Sequence, residues 1–177
     1  MSRERIIVGP LSAVDHTVDK AGVSHLVTLI NGETLVETPT GISRHNHLRL
    51  SMNDISAPQP GLIPPHEDHV AELIEFTAGW DKAGPIMVHC WAGISRSTAA
   101  AFIMLCTLNP KSNEEHIAQQ IRAASPTATP NQRLVRLADA FLKRKGRMIS
   151  AIDSIGRGQM AFEADVFALP TKLPAKT

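Results

Sequence analysis

Val88-His89-Cys90-Trp91-Ala92-Gly93-Ile94-Ser95-Arg96-Ser97-Thr98 joins the apolar run Ile86 to His89 to the small-residue run Ser97 to Cys106. The first run reads as a strand covered on both faces, the second as a buried helix. A loop that leads from a strand into a helix N-terminus aims successive unpaired backbone N–H groups at one spot, where the helix dipole adds partial positive charge. Such a loop is an anion cradle, and Gly93 in its middle gives the backbone the freedom that converging amides require.

Cys90 stands at the strand end facing this cradle, a place that favours a thiolate and therefore a nucleophile. Arg96 returns to the rim of the same loop, where a planar guanidinium can grip two oxygens of a phosphoryl group, as lysine cannot. Ser97 can donate a hydroxyl hydrogen bond to the sulfur, helping it to depart later as a thiolate. His89 reads as an ordering residue behind the loop. Trp91, Ala92, Gly93, Ile94, Ser95 and Arg96 are the residues that would touch a bound phosphate.

Working outward, further apolar runs at Ile6 to Val8 and His25 to Ile30 read as buried strands, and Leu48, Leu50 and Met52 alternate with Arg49 and Ser51 as in a strand with one wetter face. Helical patterns separate them. Ser12-x-x-Asp15 opens one, Pro64-Pro65 falls in the first turn of another with Val70, Leu73, Ile74, Thr77 and Trp80 on one face, and Ser112-x-x-Glu115 has the form of a capping box. Asn131 caps a last long helix with Leu134, Leu137, Ala138 and Phe141 inward. Strands interleaved with helices define an α/β domain, with a central, mostly parallel sheet of four to five strands flanked by helices. Residues 1–147 are expected to form the catalytic domain. The stretch 148–177 carries Met148, Ile152, Ile155, Phe162, Val166, Phe167 and Leu169, too apolar for a free tail, and is expected to dock on the same domain.

The loops Asn31 to Asn46 and Asp54 to Ile63 are long enough to carry function. The second begins with Asp54, directly after the strand ending at Met52. Asp68 belongs to the opening turn of the Pro64 helix, where the dipole explains an acid, and Asp81 ends that helix.

His-Cys-x5-Arg-Ser between strand and helix resembles the signature of the cysteine-dependent protein tyrosine phosphatase superfamily, and His89-Cys90-Trp91-Ala92-Gly93-Ile94-Ser95-Arg96-Ser97 is closest to its dual-specificity branch, as found in small bacterial-type phosphatases. The stretch Arg122 to Asn131, followed by a helix, also resembles that branch, so the likeness spans roughly residues 24 to 142. It implies a tyrosine phosphatase-like fold, thiolate attack on a phosphomonoester, a cysteinyl-phosphate intermediate, and hydrolysis by water without metal or other cofactor. It implies an aspartic general acid on a mobile loop a few dozen residues upstream, for which Asp54 is a better-placed candidate than Asp68 or Asp81, serving as acid and then as base, work worth about 10²–10⁴-fold in rate. Phosphoinositide-cleaving relatives typically carry basic residues among the loop's variable positions, and here these are Trp91, Ala92, Ile94 and Ser95. That favours a singly phosphorylated protein, or a small phosphomonoester, as substrate. The chain has no tyrosine to build the aromatic wall of a deep phosphotyrosine pocket, which suits a shallower dual-specificity site.

Composition narrows the rest. The chain has 177 residues, 43% of them hydrophobic and 20% charged, with a formal net charge of +1, so no broad field argues for nucleic acid or an anionic membrane. No apolar run reaches the roughly 18 residues of a spanning helix, and nothing resembles a signal-peptide core, so no membrane insertion is expected. Two cysteines, Cys90 and Cys106, read as reduced thiols of a cytoplasmic protein. The helix between them holds them too far apart for a disulfide. His45-x-His47 and His66-Glu-Asp-His69 lack metal-site spacing, and the latter pair reads as exposed. Gly156-x-Gly158-x-x-Ala161 matches a dinucleotide fingerprint by letter without a preceding strand. Lys143-Arg144-Lys145 and Arg147 read as neutralising a helix C-terminus. Two other functions remain open beside the protein phosphatase, a phosphate-recognising module with little turnover and a phosphoinositide phosphatase. Thiol chemistry on the same loop is a further reading, but it would have no resolving cysteine nearby and no use for Asp54. Oligomeric state is not legible.

Overall fold

The computed structural model describes residues 4–173, so the outer ends of the two expected stretches, residues 1–3 and 174–177, lie outside it. Five strands form one sheet in the order β3-β2-β4-β1-β5, with β1 at Arg5–Pro10, β2 at His25–Ile30, β3 at His47–Ser51, β4 at Ile86–Cys90 and β5 at Phe167–Pro170. The pairs β1/β4, β4/β2 and β2/β3 are parallel, whereas β5 runs antiparallel to β1 with Phe167 opposite Val8. Every residue of β2 and β4 is buried, as their unbroken apolar runs require of central parallel strands. β5 escaped the sequence reading because Phe167-Ala-Leu-Pro170 is short and ends in proline, which an edge strand tolerates.

Six helices flank the sheet: α1 (Val14–Ala21), α2 (Glu67–Gly79), α3 (Arg96–Leu108), α4 (Glu114–Ala124), α5 (Gln132–Phe141) and α6 (Arg147–Ile155), α5 packing on α2, α3 and α6. α3 is buried along its whole length from Arg96 to Cys106, and its alanines let β4 and the neighbouring helices approach closely. Met148, Ala151 and Ile152 of α6, with Phe167 and Leu169 of β5, belong to the same main core as Val88 and Phe102.

Several helix starts differ from the sequence reading. Ser12 does not cap α1; a 3₁₀ turn at Leu11–Ala13 precedes the helix, and the Ser12 hydroxyl donates to Glu163 Oε1 at 2.8 Å. Pro64 and Pro65 lie before α2 rather than in its first turn. His66 is the cap: its ring accepts from Asp68 N, and His69 Nδ1 accepts from His66 N at 3.0 Å, so this pair forms a reciprocal cap rather than two idle surface residues. Asn113, not Ser112, caps α4 by accepting from His116 N. Asn131 caps α5 as its sequence position suggests, but Phe141 is exposed and Val135 takes the inward place.

The basic cluster also serves a different purpose. Lys143 and Lys145 both adopt left-handed backbone, φ 55° each, and the turn they make sends Arg144 inward. Arg144 Nη1 donates to Glu114 Oε1 at 2.7 Å, Arg144 Nη2 donates to the Cys106 carbonyl at 2.8 Å, and Arg147 Nε reaches Glu114 at 3.1 Å. Burial pushes the Glu114 carboxyl up, but bonds from its own backbone amide, Arg144 and Arg147 outweigh this and hold it below the usual glutamate range. Glu114→Ala strands a buried guanidinium and is expected to cost about 3 kcal/mol in urea unfolding. Because the folded value is depressed, this contribution is present above the unfolded-state carboxyl value, about 4.3, and fades as pH falls through the lower folded value. Equal stability of wild type and variant at pH 7 would refute the clamp.

Candidate active site

The parallel strands deliver their C-terminal ends to one edge of the sheet, and the loop 91–95 leaves β4 there. Its carbonyls are all but one tied outward. Trp91 O accepts from Leu11 N at 3.1 Å, Ala92 O from Ala164 N at 2.9 Å, Ile94 O from Thr129 N at 2.9 Å, and Ser95 O from Asn131 N at 3.2 Å. With the carbonyls so engaged, the N–H groups of Ala92, Gly93, Ile94 and Ser95 take no protein acceptor among the described residues. Gly93 has φ +72°, and a Cβ there would stand 2.7 Å from the Gly9 carbonyl carbon and 2.8 Å from Pro10 N. Only glycine lets the loop press against the end of β1.

Cys90 is 3% exposed, and its Sγ lies 3.2 Å from Ser97 Oγ in the first turn of α3. Arg96 is buried, with Nη1 donating to the Met52 carbonyl at 2.9 Å. Its Nε is a buried donor without a hydrogen-bond partner among the described residues, so it can meet an acceptor presented at the loop. Asp54 comes over the loop from the segment after β3. Its Oδ1 accepts from Ser95 Oγ and from Asn131 Nδ2, both at 2.8 Å, and its Oδ2 takes no hydrogen bond among the described residues. The chain thus brings Asp54, Ser95, Arg96, Ser97 and Cys90 to one place. Asp81 is elsewhere, closing the turn that enters β4 at the opposite edge by accepting from Ala83 N. Trp91 is 48% exposed at the rim, its indole N–H donating to Asn31 Oδ1. Asn131 was read only as a helix cap; its side chain both caps α5 and holds Asp54, a double duty no local pattern signals.

Behind the loop runs a chain of hydrogen bonds, exposed at Arg49 and buried from His47 inward, whose direction is fixed at both ends. Arg49 can only donate, and Nη2 does so to Thr38 Oγ1 at 3.0 Å; the Cys90 carbonyl can only accept, from His89 Nδ1 at 3.3 Å. Between them Thr38 meets His47 Nδ1 at 2.9 Å, His47 Nε2 meets Thr28 Oγ1 at 2.8 Å, and Thr28 Oγ1 meets His89 Nε2 at 2.7 Å. One assignment satisfies all five bonds. Thr38 donates to His47 Nδ1, His47 Nε2–H to Thr28, Thr28 to His89 Nε2, and His89 Nδ1–H to Cys90 O. Both imidazoles are then neutral, in agreement with burial pushing each down to about 4, His47 further lowered by Arg49 and His89, and His89 by Arg96 against its bond to the Cys90 carbonyl. Burial, by contrast, pushes the Cys106 thiol up to about 12, so it stays protonated inside the α3 core.

Residues 57–133 match the protein-tyrosine phosphatase family, a span that holds α2, β4, the loop, α3, α4 and the start of α5. The match covers 77 of the chain's 177 residues. Asp54 lies just upstream of the matched span. No curated protein matches the chain by sequence. Its fold is similar to that of DUSP15 (TM-score 0.58, 19% identity, 88% of this chain and 91% of that one). It is likewise similar to PTPMT1 in complex with PI(5)P (0.60, 17%, 78% and 90%). A third similar structure is the human tyrosine phosphatase-like serine/threonine/tyrosine-interacting protein (0.59, 19%, 79% and 92%). No helix among the described residues is long and apolar enough to cross a membrane.

The two neutral histidines predict an acid-sensitive fold. In the unfolded chain they protonate near 6.5, but in the folded chain only near 4, so unfolding takes up protons in between. Stability is expected to fall as pH drops from about 6.5 to about 4 and to level off below. His47→Gln should make this slope shallower in denaturant titrations across that range, and an unchanged slope would contradict a buried neutral His47.

Proposed function

We propose that this protein is a phosphomonoester hydrolase of dual-specificity type that acts on phosphorylated protein through a cysteinyl-phosphate on Cys90. The observation that carries the reading is the loop itself, with four amides unspent around the Cys90 thiol and an unpartnered Arg96 Nε beside them. Three phosphoryl oxygens would take these donors, so the loop favours the phosphorus centre as charge spreads over it in the transition state.

In the first step the Cys90 thiolate attacks phosphorus, the bond to the leaving oxygen breaks, and Asp54 gives that oxygen a proton. Oδ2 is the oxygen suited to this, since Oδ1 is held by Ser95 and Asn131. In the second step Asp54 takes a proton from water, the water oxygen attacks phosphorus, and the sulfur leaves as a thiolate that the Ser97 hydroxyl stabilises. Trp91, Ala92, Gly93, Ile94 and Ser95 supply the cradle, and no step calls for a metal. A nucleophilic thiolate needs a reducing compartment, which supports a cytoplasmic place.

The loop's lack of lysine supports a singly phosphorylated substrate. A phosphoinositide reading rests only on the fold shared with PTPMT1. A mere phosphate-recognising module would have no need of Cys90, Ser97 and Asp54 in this arrangement.

Hydrolysis of a chromogenic aryl phosphate in the presence of chelator tests the mechanism. Wild type should turn over, Cys90→Ser should not, and Asp54→Asn should lower kcat by about 10²–10⁴-fold, with a larger loss on esters of poor leaving groups. Turnover surviving in Cys90→Ser would overturn the mechanism, and an Asp54→Asn rate equal to wild type on a poor leaving group would assign the acid elsewhere.

A further inference from the structure

Between α6 and β5 the chain crosses the edge of the sheet that carries the phosphate loop. It is pinned at both ends. Arg122 Nη1 and Nη2 donate to the carbonyls of Ile155 and Gly156 at 2.6 and 2.9 Å, Gly158 N donates to Thr129 Oγ1 at 3.1 Å, and Gln159 N donates to Pro126 O at 2.9 Å. At Gly158 a Cβ would stand 2.5 Å from the Thr127 carbonyl carbon, so this glycine is a close-packing device and not a dinucleotide fingerprint. At the far end Glu163 accepts from Ser12, and Ala164 N donates to Ala92 O inside the phosphate loop.

This backbone is held on both sides, yet its large apolar side chains stay exposed while Ala164 is buried. Phe162 is 97% exposed and Met160 81% exposed. Phe162 is two residues from the Ala164 bond to the loop, so its Cα lies within about 7 Å of the Ala164 Cα. Of eight large apolar side chains exposed among the described residues, seven sit on the segments that emerge at this one edge, Trp91 of the loop included; Phe141 at the end of α5 is the exception. A groove of about 680 Å³ joins the two features: Asp54 and Ser95 line it on one side, Asp153, Gly156 and Arg157 on the other. Arg157 Nη2 reaches Met160 Sδ at 3.2 Å and so directs the thioether.

We propose that residues 156–166 form a substrate-binding strap, in which Met160 and Phe162 contact apolar side chains flanking the phosphorylated residue of a protein substrate. The inference rests on the phosphatase reading of the Cys90 loop and extends it. Because the groove opens onto Asp54 and Ser95, its occupant is the molecule whose phosphate lies in the loop. Its walls are mostly polar and carry one arginine against two aspartates, Asp54 and Asp153, which suits a peptide backbone and not the clustered anions of a lipid surface, while Met160 and Phe162 beside it offer the apolar contacts. Fixing the backbone in advance lowers the ordering cost of binding.

The test compares kcat/KM of wild type, Phe162→Ala, Met160→Ala and the double variant on three probes: a chromogenic aryl phosphate, a phosphotyrosyl peptide with leucine or phenylalanine at the flanking positions, and phosphoinositide in mixed micelles. Both side chains are exposed, so folding should survive, and a thermal melt checks it. The double variant should lose about tenfold more on the peptide than on the aryl phosphate, mostly in KM, and the peptide's dissociation constant on Cys90→Ser should rise in parallel. Equal losses on peptide and aryl phosphate would overturn the strap, as would a loss confined to the lipid. A wild type inactive on all three probes would instead remove the phosphatase reading beneath it.

Discussion

The outward pull on the carbonyls of residues 90–95, Gly93 excepted, is the constraint on which the rest of the structure depends. A free loop of this length would turn some carbonyls inward, where they would repel a phosphate. Here separate parts of the chain hold them off: His89 at Cys90, Leu11 after β1 at Trp91, Ala164 before β5 at Ala92, Thr129 at Ile94 and Asn131 at Ser95. The fold therefore acts as a frame that turns one loop's amides inward. Loss of the Leu11 or Ala164 tether frees a carbonyl at the place where negative charge gathers, whereas Ile94 O and Ser95 O also accept from Thr98 and Ser95 O from Ala99.

This view explains why residues remote in sequence meet at the loop. Asn131 serves α5, the loop through its backbone N–H, and Asp54 through its side-chain amide, so the position of the acid is coupled to the shape of the cradle. The hydrogen-bond chain from Arg49 reaches the Cys90 carbonyl across three parallel strands, β3, β2 and β4, whose register sets Thr28 opposite His89 on one side and opposite Arg49 on the other, with His47 two residues before Arg49 reaching Thr28 diagonally. Neutral imidazoles suit this duty, since a neutral ring can accept at one nitrogen while donating at the other.

How much of this was legible in the sequence follows from how local each signal is. The apolar runs of β1, β2 and β4, the glycine in the loop and the Cys90–Arg96–Ser97 spacing are written in consecutive residues, and Asp54 is marked by its place after a strand. The helix caps misled where several polar residues compete: Ser112 and Asn113 are both good caps, and only packing chooses between them. Arg144 looked like surface charge because its buried partner Glu114 lies thirty residues away, across a turn made by lysines in left-handed backbone. β5 and the strap were invisible for the same reason, since their partners Val8, Thr129 and Ala92 are all distant in the chain.

The most direct measurement of the central claim is rapid acid quench of the enzyme during turnover of a phosphomonoester, followed by mass spectrometry of its peptides. The account predicts a phosphoryl group on the sulfur of Cys90, more of it in Asp54→Asn with an activated aryl ester whose departure needs no acid, because the second step then lags the first. A phosphoryl group on another residue, or steady turnover with no phosphorylated Cys90 at any quench time, would contradict it.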